Sequence, residues 1–133
     1  MMIWDPLRKK AVTSTPEEIV RQWFIRMLSH VAGVPETLMM SEVPMKYGGK
    51  GWRADIVVYG RDAQPLAIVE CKRPGVAIDG AVAGQALRYS AVLSVRCIIL
   101  TNREKTYAYL REGDSFKETD HLPSYEEMTT WQQ

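Results

Sequence analysis

Two short apolar runs separated by six turn-forming residues constrain this chain more than any other feature. Residues 52–59 and 66–72 are rich in Val, Ile, Ala, Tyr and Trp, and Gly60-Arg61-Asp62-Ala63-Gln64-Pro65 lies between them. Strand-like runs bounded by Gly, Asp and Pro read as a β-hairpin. Closing the loop at Gly60 and Pro65 sets Asp55 opposite Glu70 and Arg53 opposite Lys72. Because side chains alternate along a strand, Asp55, Val57 and Tyr59 share a face, as do Ile68, Glu70 and Lys72. Two carboxylates then face each other with β-carbons about 4.5–5.5 Å apart, an arrangement that is unfavourable for like charges.

The rest of the chain builds around that hairpin. Thr15 is placed to cap a helix, Pro16 suits its first turn and Glu18 sits at the capping-box position. Val20, Trp23, Phe24, Met27, Leu28 and Val31 follow at helical spacing, and Gly33-Val34-Pro35 ends the element. A strand is expected over 40–46, then a glycine-rich turn. A second helix is expected over 81–93, a buried strand over 95–101 and a last strand over 105–111. The order αβββαββ, with a helix between two strands, calls for a mixed sheet flanked by helices, hence an α/β fold. Residues 1–14 read as an arm, 15–125 as one domain and 126–133 as a tail. At 133 residues the chain is long enough to bury a core without staples.

Composition excludes several classes. A net charge of +1 gives no global basic field, so any nucleic-acid contact must come from a local patch. Cys71 and Cys97 fall in apolar runs and read as core residues, and His30 and His121 lie far from both, which argues against zinc. There is no secretory segment and no apolar stretch of membrane-spanning length, so a cytoplasmic protein with no membrane association is expected. The glycines at 48, 49 and 51 lie between strands and not before a helix, unlike a phosphate-binding loop.

A divalent cation would justify the facing carboxylates. Mg²⁺ takes one or two protein carboxylates and completes its shell with waters and substrate phosphate. Asp55 and Glu70 are the candidate ligands, the backbone carbonyl of Cys71 offers a further oxygen, and Lys72 shares the face of Glu70. The competing reading is a cross-strand salt-bridge cluster at a solvated sheet end, and spacing alone does not separate the two.

Asp55, fourteen intervening residues, then Glu70-Cys71-Lys72 resembles the PD-(D/E)xK nuclease pattern. A wider string is more specific: Thr15-Pro16-Glu17-Glu18, Val20-Arg21-Gln22, Arg53 to Tyr59, Glu70-Cys71-Lys72 with Gln85 and Tyr89, then Thr101-Asn102. It resembles the N-terminal nuclease domain of type I restriction enzyme R subunits, and Leu122-Pro123-Ser124-Tyr125 also fits small stand-alone relatives. The resemblance implies a restriction-endonuclease-like core and a Mg²⁺- or Mn²⁺-dependent endonuclease. In it Asp55 and Glu70 hold metal, Lys72 is the catalytic lysine, and Gln85 and Tyr89 stand beside the site. The implied partners are nucleic acid, DNA first, and either a second copy or other restriction subunits. Ala54 stands where the pattern has proline.

On a helical wheel Glu17 lies about 60° from the centre of the apolar stripe and points toward the sheet, while Glu18 lies nearly opposite. Glu17 is therefore the candidate auxiliary carboxylate, against a plain first-turn glutamate favoured by the helix dipole. Gln85 and Tyr89 are one turn apart and read equally as core contacts. Lys46, Lys50, Arg53 and Arg73, with Arg88 on the second helix, are candidate phosphate contacts or ordinary surface charge. Beside the nuclease stands a second hypothesis, a catalytically silent module of the same fold that binds nucleic acid or a partner subunit.

Overall fold

A computed structural model describes residues 1–47, 49–80, 84, 87 and 94–130, with backbone alone for Lys46, Tyr47, Lys50 and Trp52. The first helix, α1 (Pro16–His30), forms where the sequence signals it. Thr15 is extended (φ −69°, ψ 159°), its Oγ1 accepts from the Glu18 N–H, and Pro16 occupies the first turn. The capping box does not close, however. The Thr15 N–H donates to the Thr13 carbonyl at 2.9 Å, and the Glu18 carboxylate accepts from Arg8 and Gln22 instead. Glu18 is buried and not solvated, because a second layer covers that side of the helix.

That layer is the segment expected to be an arm. Residues Met2–Asp5 (β1) and Lys10–Thr13 (β2) pair antiparallel as a hairpin, with Ile3 opposite Val12 and Asp5 opposite Lys10. Asp5 is fully buried, accepts the Leu7 N–H at 2.8 Å and is ion-paired with Arg8.

Six further strands form one sheet in sequential order: β3 (Met39–Tyr47), β4 (Lys50–Tyr59), β5 (Pro65–Cys71), β6 (Cys97–Thr101), β7 (Thr106–Glu112) and β8 (Ser115–Thr119). β5 and β6 are parallel and every other neighbouring pair is antiparallel, so the sheet is mixed as expected. A parallel neighbour needs a crossover, and residues 72–96 supply it. The helix expected over 81–93, with Gln85, Arg88 and Tyr89, falls largely outside the described residues. Every residue of β6 is buried, each large apolar side chain contributing roughly 1.5–3 kcal/mol by leaving water. The polar stretch after Glu112 carries more structure than expected: β8, then a short helix α2 (Tyr125–Thr130) that buries Tyr125 and Met128.

The hairpin register is the expected one near the site and differs at the loop. Ile56 pairs with Val69, Val57 with Ile68 and Val58 with Ala67, but Tyr59 pairs with Pro65 across a bulge at Val58/Tyr59. The loop closes one residue tighter than Gly60 and Pro65 would close it, and the bulge restores the register. Continued past Ile56 and Val69, the ladder sets Asp55 across from Glu70.

The sheet separates two cores. On one side α1 and α2 pack Val20, Phe24, Leu28 and Met128 against Ile56, Val58, Val69 and Ile99. On the other lie Val57, Ile68, Ile98 and Leu100. β3 and β4 change sides between them. Met39, Ile56 and Val58 belong to the first core, whereas Met45 and Ala54, at the same alternate positions, belong to the second. The change falls at Glu42, whose φ of +52° is left-handed, and at Asp55, the two positions the β3–β4 ladder skips between Ser41↔Ile56 and Val43↔Ala54.

Candidate functional site

Asp55 therefore sits where its strand crosses from one core to the other, and its carboxylate is held from two directions. Oδ2 accepts the backbone N–H of Cys71 at 2.7 Å, and Oδ1 lies 3.5 Å from Nη2 of Arg21 on α1. The hydrogen-bonding contact between the two carboxyl groups favours the charged form of Asp55 and the neutral form of Glu70. Burial, then the charge of Asp55, pushes the Glu70 carboxyl up to about 8 against the pull of Lys72. Burial also raises Asp55, although the Cys71 N–H and Arg21 oppose it. Glu70 Oε1 is buried and accepts no hydrogen bond.

Lys72 follows β5 directly. Its backbone N–H donates to the Thr101 carbonyl at 2.8 Å, and its ammonium acts on Asp55, Glu70 and Glu17 alike. Glu17 is accessible to solvent, yet partial desolvation, then the charge of Asp55, raises its carboxyl. Four sequence-marked residues, Glu17, Asp55, Glu70 and Lys72, are thus electrostatic neighbours. Cys71 contributes its backbone N–H to Asp55, and burial holds its thiol far from ionisation.

The basic candidates are spread more widely. Arg53 is 69% exposed and 3.8 Å from Glu42. Arg73 is exposed and borders a cleft of about 520 Å³ shared with Glu17, Arg21 and Glu42. Lys46 and Lys50 lie at the β3–β4 turn, paired with Gly51 and Tyr47, and only their backbones are described. A larger cleft of about 680 Å³ lies around Gly60, Arg61 and Tyr125 and contains none of the expected site residues.

Sequence reasoning gave no role to the ionic cluster behind Asp55. Arg21, with a side chain only 7% exposed, lies 3.5 Å from each of Glu18, Glu42 and Asp55. Arg8, reaching in from the hairpin, donates to Glu18 at 2.6 Å and lies 3.4 Å from Glu42. One signal was legible: Arg21 stands one turn beyond Glu17 on the same helical face, where a buried cation needs an anion opposite.

Among the described residues no group of three or more His, Cys, Asp or Glu side chains is arranged to hold a metal ion. The pair Asp55 and Glu70 still fits one. Two half-buried carboxyls lie together where a cation would relieve both, and the buried Glu70 Oε1 has no hydrogen-bond partner. Mg²⁺ commonly uses one or two protein carboxylates and keeps several waters.

A mixed sheet with a half-buried acidic pair and a lysine at the end of its central hairpin defines an α/β domain. Residues 16–123 match the model of the type I restriction enzyme R protein N terminus, and the chain belongs to that family. The fold is shared with a fragment described as the putative HsdR subunit of a type I restriction enzyme from Vibrio vulnificus YJ016, at a TM-score of 0.66 and 19% identity. The match covers 86% of this chain and 24% of the other, so the chain spans about a quarter of that relative's length. No curated protein matches the chain in sequence. No helix among the described residues is long and apolar enough to cross a membrane.

Proposed function

We propose that the chain is a metal-dependent nuclease domain that hydrolyses phosphodiester bonds, with DNA the first substrate to test. The observation that carries this reading is the pair Asp55 and Glu70, half-buried side by side, with Glu70 Oε1 buried and unpartnered. Burying two carboxyls together is costly unless a cation or a proton is shared between them.

Asp55 and Glu70 would hold Mg²⁺ or Mn²⁺, with the Cys71 carbonyl as a further oxygen. A bound divalent ion would polarise the scissile phosphate and acidify a water. The Lys72 ammonium, already under the influence of both carboxylates, orients the attacking water and meets the charge that develops on the phosphate. Glu17 lies at the solvent edge, where it can accept a proton released during attack. Gln85 and Tyr89, outside the described residues, are the further site residues that the family resemblance implies. Arg53 and Arg73, with Lys46 and Lys50, contact the phosphate backbone, and the family's restriction context makes other restriction subunits or a second copy the expected protein partners. The expected compartment is the cytoplasm.

The test is to incubate plasmid, single-stranded DNA and RNA with Mg²⁺ or Mn²⁺, beside Glu70→Ala and Lys72→Met controls. Metal-dependent cleavage by the wild type and a loss of at least about a hundredfold in both variants is expected. Cleavage equal in all three proteins, or none under any condition, sinks the proposal. In the second case the competing reading gains: a silent module of this fold that binds nucleic acid or a partner subunit.

A further inference from the structure

The acidic pair does not stand alone. Behind it four elements converge on one buried guanidinium: α1 supplies Arg21 and Glu18, β3 supplies Glu42, β4 supplies Asp55, and the N-terminal hairpin supplies Arg8. The contacts are not those of an optimised salt bridge. Arg21 Nε and Nη1 are buried and make no hydrogen bond, although carboxylate oxygens lie 3.5 Å away. A guanidinium in the interior is costly unless closely paired, so stability alone does not account for its place.

Glu42 adds a second, independent cost. Its φ of +52° is left-handed inside a strand, a conformation that costs a residue with a β-carbon roughly 1–2 kcal/mol. Strain of this kind persists where the surrounding structure enforces it. Here it turns the strand at the position facing Asp55 and brings one carboxylate within 3.4–3.8 Å of Arg8, Arg21 and Arg53.

We infer that Arg21 is a positioning residue for Asp55. Glu18 and Glu42 hold it and Arg8 braces them, so that Oδ1 faces Arg21 while Oδ2 takes the Cys71 N–H. Asp55 is then presented to a divalent cation in a single orientation beside Glu70. Metal ligands depend on such outer partners, and removing one typically costs about 10–100-fold in metal affinity. This inference rests on the reading of Asp55 and Glu70 as the reaction centre.

Glu42 offers a test in which function and stability part company. Glu42→Gly relieves the left-handed strain, which offsets the lost ion pairs of a partly exposed carboxylate, so the protein should melt close to wild type. Arg21→Lys keeps the charge but loses the fork that reaches three carboxylates. The full chain is measured without metal by amide hydrogen exchange and with Mn²⁺ by calorimetry. The Cys71 amide is expected to exchange about tenfold faster in both variants as Asp55 loses its fixed orientation, with the Val69 and Ile99 amides unchanged. Mn²⁺ affinity is expected to fall about tenfold or more.

Unchanged Cys71 exchange in both folded variants overturns the inference, as does wild-type Mn²⁺ affinity in both. Glu70→Ala is the separate control. If it binds Mn²⁺ like wild type, the metal reading of the acidic pair fails, and the Cys71 amide still decides whether Arg21 orients Asp55.

Discussion

The backbone N–H of Cys71 donates to Asp55 Oδ2 at 2.7 Å, at the point where the described pairing of β4 with β5 has ended. The bond ties a side chain on one strand to the main chain of the next and leaves the other Asp55 oxygen to Arg21. Both Asp55→Asn and Asp55→Ala leave a buried Arg21 with one fewer anion, but Asp55→Asn keeps an acceptor for the Cys71 N–H. Losing one partner of a buried pair costs about 3 kcal/mol. Asp55→Ala is therefore expected to unfold at clearly lower urea, with Asp55→Asn less affected and both unable to bind Mn²⁺. An alanine variant as stable as wild type would remove the ion-pair account.

Glu70 sets a dependence of stability on pH. Its carboxyl titrates near 4.5 in the unfolded chain and at about 8 in the native state. Between those values the native protein holds a proton that the unfolded chain has released, so stability falls as pH rises through that window. Melting temperatures in EDTA should decline from pH 5 to pH 8. His121, whose pKa is raised by Asp120 and Glu127, slopes the same way, so the comparison with Glu70→Gln is what isolates Glu70. The Gln variant should lose most of the decline and melt higher than wild type at pH 8. Equal slopes in the two proteins would mean that Glu70 is ionised in the native state.

What was legible in the sequence follows from local rules. Closing the loop at Gly60 and Pro65 gave the register found at Ile56, Val57 and Val58, and with it the approach of Asp55 to Glu70, although the loop itself closes differently, across a bulge. The Thr15-Pro16 signal placed α1, and the wheel put Glu17 on the side of the helix from which it feels the charges of Asp55 and Lys72. The ionic cluster was hidden because it depends on Glu42 being left-handed, which the surrounding Ser41 and Val43 do not announce. Burial of Glu18 was hidden for a related reason: the layer covering it, β1 and β2, is too short and irregular to show a period. The polar stretch 115–130 concealed β8 and α2, whose strand is half-exposed and whose helix buries little beyond Tyr125 and Met128.

Arg53 and Arg73 are expected to act through charge alone. Removing one phosphate-binding cation should reduce the slope of log affinity against log salt by about one. Titrating a labelled duplex at several salt concentrations with Arg53→Ala, Arg73→Ala and the double variant checks this. A weaker but equally salt-sensitive complex would place the nucleic acid elsewhere on the surface.

The C-terminal helix separates fold from site. Met128 is fully buried against the first core, and the Tyr125 hydroxyl donates to the Tyr59 carbonyl at 2.9 Å, at the loop end of the hairpin. Truncating a buried methionine costs about 2–5 kcal/mol, and a single neutral hydrogen bond about 1 kcal/mol. Met128→Ala should therefore destabilise more than Tyr125→Phe, both seen in chemical unfolding. Neither side chain touches Asp55, Glu70 or Lys72 through any described interaction, so Mn²⁺ affinity of the folded fraction should match wild type in both. A fall in metal affinity with Tyr125→Phe would show instead that the loop end of β4–β5 transmits its position along the hairpin to the acidic pair.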